Sequence, residues 1–251
     1  MAKCVLHTLS AIALLSASAS ATVLTFDIAG ESPNQSIQQN YGDRVTAATM
    51  GNFSYGTAGG FTPNVVLSYG PSVPAGQSGG ACSFNTSACV YWWDNDFADL
   101  RNVIAQADSG GASTGILEVL FTADPGWIVT LASLNLGGWQ HGNPGYPASY
   151  GINSVKVYDQ TNAVVYDSGA QNVPVNDPGH LSLAPNVSGA SLRLVIDASN
   201  LPAVYANNVG LDNIQFSQDI FRDPGAVPEP AAFLLSGAGL VAVAALRRRK
   251  A

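Results

Sequence analysis

The stretch Ser191–Asp197, SLRLVID, alternates apolar and polar side chains over most of its length. Leu192, Leu194 and Ile196 fall on one face of an extended chain, and the polar side chains fall on the other. This period of two is typical of a β-strand with one face buried. Two other stretches alternate in the same way, Thr22–Ile28 (TVLTFDI) and Ile152–Tyr158 (INSVKVY).

Shorter apolar stretches predict about eight more strands, separated by clusters of Gly, Pro, Asn and Asp. These candidates are Phe53–Tyr55, Val65–Tyr69, Val90–Trp93, Ile116–Thr122, Ile128–Leu136, Val164–Asp167, His180–Leu183 and Leu211–Phe216. The chain of 251 residues contains 26 Gly and 14 Pro, with only 11% charged residues. Many short strands between turns favour an all-β fold, an antiparallel β-sandwich or jelly roll.

One segment has helical spacing instead. In Asp96–Ala107 (DFADLRNVIAQA) the residues Phe97, Leu100, Ile104 and Ala107 recur every three to four positions. This pattern predicts one short helix.

The N-terminus has the three parts of a secretory signal. Lys3 supplies the positive charge, Val5–Ala17 is mostly apolar, and Ala19-Ser20-Ala21 fits the small-residue cleavage pattern. We therefore assign residues 1–21 as a signal peptide and predict that the mature chain begins at Thr22.

The C-terminus combines an apolar segment with a basic end. Residues 231–246 carry no charge, and as a helix they would cover about 24 Å at 1.5 Å per residue. The hydrocarbon core of a bilayer is about 30 Å thick, so the segment can just span it with help from its flanks and makes a marginal permanent anchor. Arg247, Arg248, Arg249 and Lys250 should stay in the cytoplasm, because basic residues resist translocation.

Val227-Pro228-Glu229-Pro230, followed by that apolar segment and the basic end, resembles the PEP-CTERM sorting signal. The resemblance implies an exported protein of a Gram-negative bacterium that also makes exopolysaccharide. It also implies an exosortase partner that recognises Pro228, Glu229 and Pro230 and removes the tail, so that the membrane helix anchors the protein only transiently. The resulting division is a domain at 22–219, a linker at 220–226 and a sorting signal at 227–251.

Scattered blocks of the domain resemble PEP-CTERM proteins with jelly-roll, carbohydrate-binding-like bodies. The blocks are LTFDIAG, YGDRVTA, FTPNVVLSYG, GILEVLFTADPGW and VGLDNIQFSQ. Because such modules often hold a structural Ca²⁺ near their first and last strands, the resemblance nominates Asp27 and Asp212 as ligands. Strand parity opposes a simple pairing, since Asp27 lies opposite the Phe26 face and Asp212 shares the face of Phe216. A β-bulge would reconcile the two.

Charge limits the classes of partner. Without both signals the chain keeps five basic and sixteen acidic residues, a net charge of about −11. Nucleic acids and anionic membrane surfaces attract basic patches, so neither is an expected ligand. Neutral glycans, cation-bridged polymers and protein partners remain compatible.

The cysteines fit an exported protein. Cys4 leaves with the signal peptide, so Cys82 and Cys89 form the one available pair. We expect a disulfide in an oxidising compartment, worth about 2–3 kcal/mol for so short a ring.

Motifs for catalysis are weak. Two segments, 76–80 and 111–115, fit the pattern G-x-S-x-G, but each lies in loop-like sequence rather than between a strand and a helix. Glu31 and Glu118 are the glutamates of the mature domain, and a strand glutamate usually faces solvent. We therefore assign no catalytic residue.

Aromatic residues give the strongest binding hypothesis. The segment Gly138–Tyr150 follows a predicted strand and contains Trp139, His141 and Tyr146. Trp and Tyr rings stack on the apolar faces of sugars, while His can bond hydroxyls. Trp92 and Trp93 should point to opposite faces of their strand, so that one of them at most belongs to the core.

These observations predict a non-enzymatic protein of the cell surface or extracellular matrix that binds or structures exopolysaccharide in a biofilm. The alternative is a secreted carbohydrate-active enzyme, a glycoside hydrolase or lyase, on a jelly-roll scaffold. A third hypothesis is a structural coat protein without a specific ligand.

Overall fold

A computed structural model describes residues 21–33, 35–56, 59–70, 90–106, 115–139, 146–202, 205 and 207–221. The chain divides into two compact units, Met1–Asp219 and Ile220–Ala251. Of the second unit the structure describes Ile220 and Phe221.

Strands dominate the described residues, which contain no α-helix. The strands are β1 (Thr22–Leu24), β2 (Asp27–Ile28), β3 (Thr49–Met50), β4 (Phe53–Ser54), β5 (Val65–Gly70), β6 (Val90–Trp93), β7 (Val103–Gln106), β8 (Ile116–Ala123), β9 (Trp127–Gly138), β10 (Ser149–Ile152), β11 (Ser154–Asp159), β12 (Val164–Asp167), β13 (Gln171–Pro174), β14 (Leu181–Leu183), β15 (Val187–Gly189), β16 (Ser191–Asp197) and β17 (Val209–Ile220).

Two antiparallel sheets form the body. The larger has the order β14-β9-β17-β7-β6, with β1 added to β17 and β15 added to β9. The second has the order β12-β11-β16-β8-β5. A two-stranded pair, β10-β13, and a three-stranded sheet, β2-β4-β3, complete the described strands. The all-β prediction is therefore confirmed, and the finer assignment to a jelly roll stays a prediction.

The core lies between the two large sheets. Leu192, Leu194 and Ile196 of β16 are almost fully buried, as the alternation of SLRLVID predicts. They belong to one hydrophobic cluster with residues of the opposite sheet. Phe121 of β8 meets Phe216 of β17 there, with ring centroids 5.3 Å apart. Two sheets that share one apolar interior make a β-sandwich-like arrangement.

The predicted strand Thr22–Ile28 is interrupted. The chain leaves β1 after Leu24, which pairs with Ile214 of β17, and re-forms as β2, which pairs with β4 in the small sheet. Phe26 lies at the interruption with φ 51°. A left-handed backbone breaks the regular alternation of a strand, so the first strand contributes to two sheets.

The helix predicted over Asp96–Ala107 is wrong. Asp96, Ala98 and Asn102 have positive φ values of 67°, 55° and 56°, which a right-handed helix does not accommodate. Residues 103–106 instead form the buried strand β7, paired with β6. The helical spacing has another cause: Phe97 and Leu100 lie in a loop and are nevertheless buried.

Several sequence predictions fall outside the described residues. They are the signal peptide, Cys82 and Cys89, His141, both G-x-S-x-G serines, the linker beyond Phe221 and the whole C-terminal signal. Within the part of the chain that the structure describes, no helix has the length and apolarity to span a bilayer.

Candidate functional site

Four aromatic side chains, which we call the aromatic cluster, lie where β6 and β9 end: Trp93, Trp139, Tyr146 and Tyr205. Trp93 is the last residue of β6, and its ring centroid is 5.9 Å from that of Trp139, which directly follows β9. Both indoles are half-buried. The adjacent Trp92 is 6% exposed and belongs to the main core. The predicted opposite orientation of Trp92 and Trp93 is therefore confirmed.

Two glycines let the chain place Trp139 there. A Cβ on Gly137 would lie 2.3 Å from the carbonyl oxygen of Phe97, and one on Gly138 would lie 2.5 Å from Cγ1 of Val175. Neither position has room for a side chain. The Trp139 N–H then donates to the carbonyl oxygen of Asn208 at 2.9 Å, which fixes the backbone that carries the indole.

Tyrosines form the second half of the cluster. Tyr146 and Tyr205 meet edge to face with centroids 5.6 Å apart, and Tyr146 is 36% exposed. Buried Tyr150 lies 5.8 Å from Tyr205. Its hydroxyl donates to the Trp139 carbonyl oxygen at 3.3 Å and accepts from Nδ2 of Asn208 at 2.9 Å. Tyr150 therefore joins the tyrosine pair to the tryptophan pair.

Burial raises the pKa of Tyr150, although its bond from Asn208 acts in the opposite direction. The phenol stays neutral at ordinary pH, so it serves as a structural hydrogen-bonding group. The aromatic cluster thus has a rigid inner support and a partly exposed outer surface.

Of the residues proposed for glycan binding, the structure describes Trp139 and Tyr146 and places both in the aromatic cluster. Sequence reasoning did not add Trp93 and Tyr205 to them. Tyr205 lies in a loop almost 60 residues beyond Tyr146, and no local pattern indicates that the two rings meet.

Asp27 and Asp212, the residues nominated for calcium, lie within electrostatic reach of each other. Asp212 is 4% exposed. Burial, with a smaller contribution from the charge of Asp27, raises the pKa of Asp212 to about 8, although the Asn213 N–H opposes this by donating to Oδ1 at 2.6 Å. Asp27 accepts hydrogen bonds from Thr25 Oγ1 at 3.1 Å and from Nδ2 of Asn102.

The alternation of side chains along the strands would place these two carboxyl groups on different faces. Two residues with a left-handed backbone conformation change that alternation. Phe26 precedes Asp27 and Asn213 follows Asp212, each with φ 51°. Such residues rotate the chain out of its alternating pattern, as a bulge does. The approach of the two aspartates therefore depends on backbone conformations that the alternation of the sequence does not reveal.

The groups around the two carboxyl groups do not suit a metal. Calcium takes six to eight oxygen ligands, whereas Thr25 Oγ1 and Nδ2 of Asn102 donate hydrogen bonds to Asp27 and Nδ2 of Asn213 donates one to Asp212. Among the described residues no group of three or more His, Cys, Asp or Glu could hold a metal ion together. These residues do not fit a calcium cage.

A cavity of about 380 Å³ opens beside Asp27. Trp92 and Phe53 supply buried apolar walls, while Asn102, Asn52 and Thr49 supply polar edges. Because Thr49 and Asn52 are exposed, the cavity opens at the surface. Throughout, we call it the Asp27 pocket.

Groups with catalytic chemistry are engaged elsewhere. Glu118 of β8 pairs with Arg193 of β16 at 2.9 Å, and that guanidinium lies 4.4 Å from the centroid of the Tyr158 ring. Asp99 pairs with Nδ1 of His180 at 2.9 Å. Each of these contacts joins two segments that are far apart in the sequence.

Residues 226–250 match the family model described as the PEP-CTERM protein-sorting motif. The chain carries an exosortase sorting signal. That motif implies export and sorting to the cell surface by an exosortase, and it agrees with the residues Pro228 to Pro230 identified in the sequence. The motif covers a short part of the chain. It describes how the protein is delivered to the surface and does not describe what the domain binds.

The comparison with curated proteins gives no significant match. Among solved structures, the chain is similar to the C-terminal domain of a chitobiase from Bacteroides fragilis. The identity is 13%, the match covers 47% of this chain and 73% of that chain, and the TM-score is 0.30. At that TM-score the likeness supports no inference about ligand or activity.

Proposed function

We propose that this protein is a non-enzymatic, surface-sorted β-sandwich that binds extracellular polysaccharide through its aromatic cluster. The single observation that carries the proposal is the set of partly exposed rings of Trp93, Trp139, Tyr146 and Tyr205, supported from below by buried Tyr150. Fixed, partly exposed Trp and Tyr rings suit the apolar C–H faces of sugars. They lose little conformational entropy when a ligand binds.

Charge favours some polysaccharides over others. The mature chain carries a net charge of about −11, which repels polymers rich in uronic acids at low ionic strength. Neutral polymers and polymers with amino groups are the preferred ligands.

Sorting supports a role in the exopolysaccharide layer of a Gram-negative bacterium. A PEP-CTERM signal directs the protein to the surface, and an exosortase would remove residues after the Pro-Glu-Pro motif. The protein would then act in the matrix of a biofilm after a transient stay in the inner membrane. Mass spectrometry of the surface-extracted protein should find no peptide from residues 231–251.

Affinity electrophoresis on gels that contain purified exopolysaccharide tests the proposed ligand. Trp127 gives a matched control, since it begins β9 while Trp139 follows its end. The two lie about 40 Å apart at 3.3 Å per residue, and both are half-buried. W139A should lose most of the retardation and W127A should keep it. Equal retardation of both variants would refute the assignment of the site.

A further inference from the structure

The Asp27 pocket has the size and the lining of a small-molecule site. Its volume of about 380 Å³ falls within the usual range of roughly 300–1,000 Å³ for such sites. β3 and β4 of the small sheet contribute Thr49 and Phe53, and the large sheet contributes Trp92 of β6. The pocket therefore lies where two sheets meet.

The walls are rigid. The Trp92 indole N–H donates to the carbonyl oxygen of Phe26 at 2.8 Å, so the ring is held by the backbone that precedes Asp27. Trp92 is 6% exposed and Phe53 is 8% exposed. An apolar ring face that enters the pocket meets walls that need no rearrangement.

Asp27 is the one charged residue among those that line the pocket. Among the lining residues no Lys, Arg or His accompanies Asp27. Thr25 and Asn102 hold its two oxygens, one each, and a carboxylate oxygen accepts more than one hydrogen bond. Asp27 can therefore keep its position and still accept a bond from a ligand.

Asp212, which lies within electrostatic reach of Asp27, is buried and is not among the lining residues of the pocket. Its burial raises its pKa to about 8, so the carboxyl group is mostly protonated at pH 7. A single fixed negative charge suits a monovalent ammonium group better than a divalent metal ion.

We propose that the Asp27 pocket binds one amino-sugar unit whose amine is free and protonated. The sugar ring packs against Trp92 and Phe53, the amine donates to the Asp27 carboxylate, and Asn102, Asn52 and Thr49 bond hydroxyl groups. This inference rests on the proposed binding of polysaccharide and names the sugar chemistry that the protein selects. An acetylated amine loses its charge, and a uronic acid carries the opposite charge.

Isothermal titration of the purified full chain with glucosamine, N-acetylglucosamine and glucuronic acid tests this selectivity. Glucosamine should bind at least about tenfold more tightly than N-acetylglucosamine, since a charge-assisted hydrogen bond is lost on acetylation, and glucuronic acid should not bind. Equal affinity for the two hexosamines would overturn the proposal.

Two variants tie the binding to the pocket. D27N keeps the shape and removes the charge, so it should weaken glucosamine binding by about tenfold or more. T49K adds a positive charge at the exposed edge and should abolish binding without disturbing the core. T122K adds the same charge on exposed Thr122 of β8 and should bind like the unaltered protein. Unchanged affinity in D27N or T49K would overturn the proposal.

Free lysine and calcium are the remaining probes in this titration. Free lysine that binds as tightly as glucosamine would show that the sugar ring is unnecessary, and would overturn the proposal in favour of a protein side chain. Calcium that binds through Asp27 while glucosamine does not would overturn it in favour of a metal site. Retardation by polysaccharide, which depends on Trp139, is measured separately. Failure of the pocket proposal and failure of the proposed function therefore give different results.

Discussion

Asp27 and Asp212 come from the two ends of the domain sequence and lie close enough for the charge of one to raise the pKa of the other. Asp212 is buried and Asp27 faces the pocket. The folded protein therefore holds a proton on Asp212 that the unfolded chain releases at lower pH.

This proton predicts a pH dependence of stability. The pKa of Asp212 rises from 3.8 to about 8 on folding. Between these values the folded state binds more protons, so the free energy of unfolding falls as pH rises, by up to about 1.4 kcal/mol per pH unit from this group. The stabilisation that this proton gives to the folded state is fully present below pH 4 and is lost above pH 8.

Urea unfolding of the wild type and D212N at pH 5, 7 and 8.5 measures the effect. D212N cannot titrate at this position, so its stability relative to the wild type should increase across the series. A constant difference between the two proteins would contradict the raised pKa. Other carboxyl groups cancel in this comparison, because both proteins contain them.

Phe121 and its neighbour Leu120 test the arrangement of the two sheets. Phe121 is fully buried against Phe216, whereas Leu120 is 36% exposed. F121A should lower the free energy of unfolding by about 3–5 kcal/mol, as large-to-small core substitutions do. L120A should change it by about 0.5 kcal/mol. Chemical denaturation of both variants checks this, and similar losses would contradict a core between the sheets.

Gly137 tests the support of the aromatic cluster. A Cβ at this position would meet the Phe97 carbonyl oxygen at 2.3 Å, whereas one at Gly151 would come no closer than 3.4 Å to Oδ1 of Asn172. G137A should cost about 1–3 kcal/mol, as overpacking does, and should weaken polysaccharide retardation. G151A should do neither. Full retardation by G137A would show that the position of Trp139 does not matter for binding.

Calcium removal tests the donor set at Asp27 and Asp212. A ligand at 100 times its Kd stabilises a protein by about 2.7 kcal/mol, which would raise the Tm of a domain this size by roughly 5–10 °C. Since the neighbouring side chains turn hydrogen-bond donors towards the two carboxyl groups, we expect thermal melts with EDTA and with added Ca²⁺ to agree within about 1 °C. A rise of several degrees with Ca²⁺ that D27N removes would contradict this expectation.

The sequence predicted every described strand of six or more residues and several of the short ones, and it gave no strand prediction for β3, β7, β10, β13 and β15. SLRLVID identified β16 to the residue, because its alternation follows directly from burial between two sheets. β3 and β15 have two and three residues, too few for a period to show. The apolar spacing predicts a helix where β7 forms, because the loop residues Phe97 and Leu100 are buried and extend that spacing.

For the candidate site, the sequence identified single residues but not their combinations. Trp139 and Tyr146 stand out because aromatic residues in a Gly- and Pro-rich loop suggest binding. Their partners Trp93 and Tyr205 lie far away in the chain and meet them through tertiary packing. The approach of Asp27 and Asp212 depends on positive φ at Phe26 and Asn213, and an aromatic residue such as Phe26 gives no signal for that conformation.

A glycan array probed with the purified full chain, with and without chelator, tests the central claim most directly. We predict binding to neutral and amino-sugar polysaccharides that persists in chelator, is lost in W139A and is kept in W127A. Absence of binding to every glycan, or hydrolysis of the bound glycans, would contradict a non-enzymatic polysaccharide-binding protein.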